Sequence, residues 1–181
     1  MQLIGAFSKI ITLNNLPMKG AINDNLLEII ENAGVLIANG KIIEIDNFEK
    51  LVKKYASQAS PKVHIQEVAP NLTLMPAFVD AHTHICFGGT RANDYAQRIA
   101  GTPYLEIAKS GGGIMDTVRK TRASTDEELL KSLLERTERM FSEGVMTAEV
   151  KSGYGLSVAH ELRMLEIITV AVVLPEQPMQ G

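Results

Sequence analysis

The stretch from Met75 to Arg91, MPAFVDAHTHICFGGTR, constrains this chain more than any other: an apolar run ends in His82-Thr83-His84 and then in Gly88-Gly89. Side chains at i and i+2 of an extended strand share a face, so His82 and His84 project together. Two imidazoles make half a metal site, because a hydrolytic metal needs three or more protein ligands and an open position for water. Asp80 shares the face, placed to orient a ligand or to lie next to the metal. The plainer reading of the motif is a polar strand end, since short histidine patterns recur by chance. Context favours the sharper one. Leu74, Met75, Phe78 and Val79 read as a strand buried on both faces, as in parallel sheets. The histidines then fall at the strand's carboxyl end, where α/β barrels keep their chemistry.

Length and charge narrow the partners. With 181 residues, 45% of them hydrophobic and 22% charged, the chain has the composition of one or two small globular domains. The net charge of −3 comes without a sustained basic run, so no nucleic-acid partner is expected. No segment approaches the roughly 20 apolar residues that cross a membrane, and Met1 to Thr12 lacks the basic start and cleavage site of a signal peptide. The single cysteine, Cys86, forms no internal disulfide and fits a reducing compartment, so a cytoplasmic location is expected. Cys86 follows His84 by two positions. Packing is preferred for it over ligation, because hydrolytic zinc sites more often use histidine and carboxylate.

Residues 1 to 72 are expected to form a β module. Leu3 to Leu13 and Val35 to Ile45 are β-rich, and Asn39-Gly40 breaks the second run with the signature of a type I′ hairpin. Asn47 to Ser57 has a capping residue and apolar positions Phe48, Leu51, Val52 and Tyr55 at helical spacing, and Val63 to Val68 is a further short strand. From 73 to 170 strands alternate with helices. Thr102-Pro103 reads as an N-cap followed by proline at the first helical position, leading into Tyr104 to Lys109. Ser124 with Glu127, or Thr125 with Glu128, has capping-box spacing ahead of an apolar stripe of Leu129, Leu130, Leu133, Leu134, Met140 and Phe141 that Gly144 ends. Val145 to Val150 is a strand, and Ser157 caps a last helix carrying Leu162, Leu165, Ile168 and Val170. This order argues for a parallel sheet with crossover helices. Residues 171 to 181, AVVLPEQPMQG, form a divergent tail in which two prolines stop any helix.

The glycine clusters carry weaker signals. Gly111-Gly112-Gly113 lacks a nucleotide-loop pattern and reads either as a set of backbone adaptors near a pocket or as a plain turn. In Gly153-Tyr154-Gly155 the tyrosine is placed to aim its hydroxyl into a cleft, with an exposed surface turn as the alternative.

Three segments in order, MPAFVDAHTHICFGGTR, RIAGTPYLEIAKSGGGI with TVRKTR, and GVMTAEVKSGYGLS, resemble the imidazolonepropionases of the amidohydrolase superfamily. The resemblance covers roughly residues 3 to 168 and is strongest from Leu74 to Leu156. It implies an α/β fold: the first βα units of a TIM-type (β/α)8 metal-dependent hydrolase barrel, preceded by part of a composite β-sandwich. It also implies hydrolysis of 4-imidazolone-5-propanoate to N-formimidoyl-L-glutamate in histidine degradation. His82 and His84 would be ligands of one zinc or iron ion, Arg91 would hold a substrate carboxylate, and Tyr154 and Tyr104 would contact substrate. Read by itself, Arg91 on its glycine loop is equally a solvated charge. Lys151 is expected to pair with Glu149 rather than to act in catalysis, and His64 and His160 to be ordinary histidines.

The family's remaining ligands and its catalytic groups are expected in a C-terminal part that these residues lack, since a complete barrel takes roughly 250 residues. The chain therefore reads as truncated, inactive alone, and prone to aggregate unless a partner covers its open edges; a homodimer is expected only of a full-length form. Two other readings stay open, a non-catalytic remnant or interaction fragment and another amidohydrolase such as a deaminase.

Overall fold

The computed structural model describes residues 1–56 and 62–173, so the expected end of the first helix at Ser57 and residues 174–181 of the expected tail lie outside the described residues. The described chain divides into two compact units, Met1–Pro76 and Ala77–Gly181.

In the first unit a mixed sheet forms around β1 (Gln2–Ile11). β2 (Ile29–Ala38) pairs antiparallel with one edge of β1, and β3 (Lys41–Asn47) pairs antiparallel with β2. On the other edge β4 (His64–Glu67) and β5 (Thr73–Leu74) follow one another, each parallel to β1. The hairpin between β2 and β3 turns at Asn39 (φ 52°) and Gly40 (φ 71°), the double positive φ of a type I′ turn. Helix α1 (Phe48–Tyr55) begins where the Asn47 side chain accepts a hydrogen bond from the Lys50 N–H at 3.3 Å. Phe48 and Leu51 bury one face of α1 against Leu3 and Leu36, and each such side chain contributes about 2 kcal/mol. Gly5 and Gly34 stand opposite each other in register, and a Cβ on Gly34 would lie 2.7 Å from the Phe48 ring. Glycine at this pair lets an aromatic ring lie flat across two strands.

The second unit holds two parallel strands, β6 (Phe78–Thr83) and β7 (Val145–Val150), with helices α2 (Ala92–Ile99), α3 (Tyr104–Lys109), α4 (Gly113–Ala123) and α5 (Asp126–Ser142) between them and α6 (Val158–Val173) after them. At the end of β6 the Thr83 hydroxyl donates to Glu149 O at 2.7 Å, and the N–H of Lys151, just past β7, donates to Thr83 O at 2.8 Å. Cys86, Leu129, Leu133, Met164 and Ile167 form the core of this unit. Thr125 and Glu128 close a reciprocal capping box at the start of α5, and Gly144 follows its end at φ 90°. No helix among the described residues is long and apolar enough to cross a membrane.

Three expectations need correction. The run through Leu74 to Val79 is not one strand. Leu74 belongs to β5 in the first unit and Phe78 opens β6 in the second. Nor is that run buried on both faces, since Phe78 is 55% and Val79 68% exposed in a sheet of only two strands. Pro103 is itself the residue before α3, with ψ 143°, rather than its first helical position, and Thr102 supplies no side-chain cap. Helices α2 and α4 are additional to the elements expected from the sequence, although Ala92, Tyr95, Ala96 and Ile99 of α2 recur at helical spacing. In α4 the buried positions include Thr117 and Thr121, threonines that a hydropathy pattern scores as surface.

Candidate functional site

His82 is the penultimate residue of β6, with its side chain exposed, while His84 lies just beyond the strand and is half-buried. Their rings stand 5.2 Å apart between centroids, inclined by 65°. The face shared at i and i+2 therefore holds the pair together. Asp80 uses its carboxylate locally, accepting the His82 backbone N–H at 3.2 Å. Its oxygen is thus an orienting group for the backbone that carries the histidine.

The segment after β7 closes on His84. The Tyr154 ring meets the His84 imidazole edge-on at 5.8 Å and the Phe87 ring at 5.6 Å. A Cβ on Gly153 would lie 2.8 Å from His84 Nδ1, so glycine is what allows the backbone to approach the imidazole. That Nδ1 is buried and has no hydrogen-bond partner among the described residues. Buried imidazole nitrogens are nearly always paired, and a ligating histidine normally gives its second nitrogen a partner. Two convergent imidazoles, one with an orphaned nitrogen, suit two positions of a divalent metal site. Among the described residues no group of three or more His, Cys, Asp or Glu side chains could complete one. Cys86 takes no part, being fully buried in the core, where desolvation pushes its thiol pKa up.

Two residues without a sequence signal build this region. Arg136, on α5, donates to the carbonyls of Ile85 (2.7 Å), Phe87 (2.8 Å) and Gly89 (3.2 Å) and covers the Phe87 ring at 3.6 Å. It thereby holds the loop that follows His84. Glu161, on α6, accepts the N–H groups of Gly155 (2.8 Å) and Leu156 (2.7 Å) and shapes the loop that carries Tyr154. Helical spacing alone shows neither, because each is a polar side chain reaching back to backbone distant in sequence. Glu149 and Lys151 form the expected ion pair at 2.5 Å, and the ammonium group holds the Glu149 carboxyl below the usual carboxylate range.

Arg91 and Tyr104 belong to a second group. The Arg91 Nε–H donates to the Thr117 hydroxyl at 2.8 Å, and Nη1 lies 3.5 Å from Asp94 Oδ2. The Tyr104 hydroxyl accepts the Ile114 N–H at 3.5 Å, at the start of α4. Arg91 is therefore an anchored cation and not a freely solvated one. Gly111-Gly112-Gly113 is the entry to α4, packed against Asp94 and Tyr104.

No family model matches the chain. It is similar to the imidazolonepropionase of Clostridium tetani, 40% identical over 162 residues that make up 89% of this chain and 38% of that protein. Similar relatives are the imidazolonepropionases of Fusobacterium nucleatum, 41% identical over 80% of this chain and 34% of the relative, and of Idiomarina loihiensis, 41% identical over 91% and 38%. The chain thus spans somewhat more than a third of the length of the curated relatives it matches. Among solved structures, E. coli guanine deaminase is similar with a TM-score of 0.59 over 95% of this chain and 34% of that one, at 18% identity, a likeness of fold.

Proposed function

We propose, for a chain that belongs with the imidazolonepropionases and corresponds to their N-terminal part, the hydrolytic opening of the ring of 4-imidazolone-5-propanoate to N-formimidoyl-L-glutamate as the activity of the whole-length protein. The observation that carries this reading is sequence identity of about 40% across nine-tenths of the chain, including the segment that brings His82, His84 and Tyr154 together. In it the second unit, from Ala77 onward, is the opening of a (β/α)8 barrel, and the first is part of a composite sandwich.

His82 and His84 would hold one zinc or iron ion, which supplies Lewis acidity and lowers the pKa of water. The remaining ligands and the catalytic acid and base belong to the rest of the protein. Within this chain, Arg91 binds the propanoate carboxylate through its planar donor set, and Tyr154 flanks the reacting ring from beside His84. Tyr104 lines the carboxylate end. A cytoplasmic homodimer is the assembly this reading implies. The likeness to a deaminase is one of fold and gives no second reaction.

A chimera tests the proposal: residues 1–168 replace the matching stretch of the Clostridium tetani relative. Metal-dependent loss of imidazolone propanoate, with KM raised about a hundredfold by Arg91→Ala, is the expected result. A folded, metal-bearing chimera without turnover sinks the reading.

A further inference from the structure

We infer that Asp94 and Thr117 are positioning residues that fix the plane of the Arg91 guanidinium for a carboxylate ligand, an inference resting on the role proposed for Arg91. Arg91 precedes α2 but gives the helix no side-chain cap. Its side chain is turned instead toward α4, where Nε–H donates to Thr117 Oγ1 at 2.8 Å. A buried helical threonine ordinarily returns its hydroxyl to the carbonyl four residues back, as Thr121 does to Thr117 O at 2.8 Å. The Thr117 hydroxyl, on a residue only 3% exposed, serves as acceptor to a cation.

Asp94 holds the other side. Its Oδ2 accepts the Gly113 N–H at 2.8 Å and lies 3.5 Å from Arg91 Nη1. A Cβ on Gly112 would come 2.5 Å from Asp94 Oδ1, so the glycine allows the entry to α4 to close around the carboxylate. The Asp94 side chain is 14% exposed and that of Arg91 is 36% exposed. The acid therefore braces the cation from within and leaves it accessible to solvent. A guanidinium presents five N–H donors in one plane. Nε and Nη1 are engaged, and Nη2 donates to no acceptor among the described residues. The group keeps donors for a planar carboxylate and has lost most of its rotamer freedom before that ligand arrives.

The test uses the 181-residue chain with 15N-labelled arginine, with 3-(imidazol-4-yl)propanoate and its uncharged amide as probes. Slow water exchange of the Arg91 Nε–H is expected in the wild-type chain and in Thr117→Ser, and fast exchange in the near-isosteric Thr117→Val. The dissociation constant for the carboxylate should rise about tenfold in Thr117→Val and in Asp94→Asn, with that for the amide unchanged. Wild-type exchange and affinity in both variants overturn the inference. So does equal weakening of both probes, the mark of a purely structural role, or failure of the wild-type chain to prefer the carboxylate. Arg91→Ala binding the carboxylate as tightly as wild type would instead defeat the reading of Arg91 itself, however slowly the Arg91 Nε–H of the wild-type chain exchanges.

Discussion

The His84 imidazole, with a buried and unpartnered Nδ1, is the residue on which the candidate metal centre turns. Two histidines alone bind zinc weakly, so competition against a chromophoric chelator should show one weak site that His82→Ala or His84→Ala removes, with Cys86→Ala leaving it intact. Loss of zinc in Cys86→Ala and retention in the histidine variants would reassign the ligands. Glu161 offers a second measurement. Burial works to raise its pKa, but the donors around it, with the Leu156 and Gly155 N–H groups bonded to Oε1, outweigh it and hold the carboxyl below the usual range. A carboxyl depressed in the folded state contributes stability that is complete above its unfolded pKa, about 4.3, and is lost as pH falls through the folded value. Urea midpoints should therefore fall more steeply below that pH for the wild-type chain than for Glu161→Gln; parallel pH profiles would contradict this role. The paired histidines were legible because strand geometry brings i and i+2 together. The contacts of Glu161 and Arg136 with distant backbone were not, because sequence spacing carries no information about which carbonyl or N–H a long side chain will meet.

At the scale of elements, local rules worked where both partners of an interaction lie within four residues. The Thr125–Glu128 capping box, the Asn47 cap and the Asn39-Gly40 turn are all of this kind. Thr125→Ala should cost about 1 kcal/mol by chemical denaturation, whereas Ser124→Ala should cost less. The Ser124 hydroxyl returns to Lys120 O at the end of α4, so it does not cap α5. An equal loss in the two variants would contradict the assignment of the box to Thr125. The same rules missed α4, whose inward face is partly threonine, and shifted the start of α3 at Pro103, whose fixed φ suits either side of a helix boundary. Gly88 is another element-level constraint that pattern alone does not reveal. A Cβ there would lie 2.7 Å from Lys120 O, because the loop after the histidines runs against the end of α4.

For the molecule as a whole, the notable property is apolar surface left open in the second unit. Leu134, Phe141, Met146 and Val172 are each at least 38% exposed around a groove of about 240 Å³ that α5, β7 and α6 share, and Phe78 and Val79 are open on β6. Two paired strands leave an unpaired edge on each side, a surface prone to association. Sedimentation velocity on the 181-residue chain should show association that grows with concentration and weakens when Phe141 and Met146 are both replaced by lysine. A monomer at all concentrations would show that this surface is tolerated in water. The sequence by itself determined the β module with its hairpin, the strand–helix alternation that follows it, and the facing histidines, because each rests on periodicity or on turn chemistry that acts over a few residues. Only the tertiary structure decided that Phe78 and Val79 are exposed, that Tyr154 seats against His84, and that Arg91 is braced by Thr117 and Asp94. Burial and contact between distant side chains depend on what packs beside each element, which a residue's own neighbours in sequence do not specify.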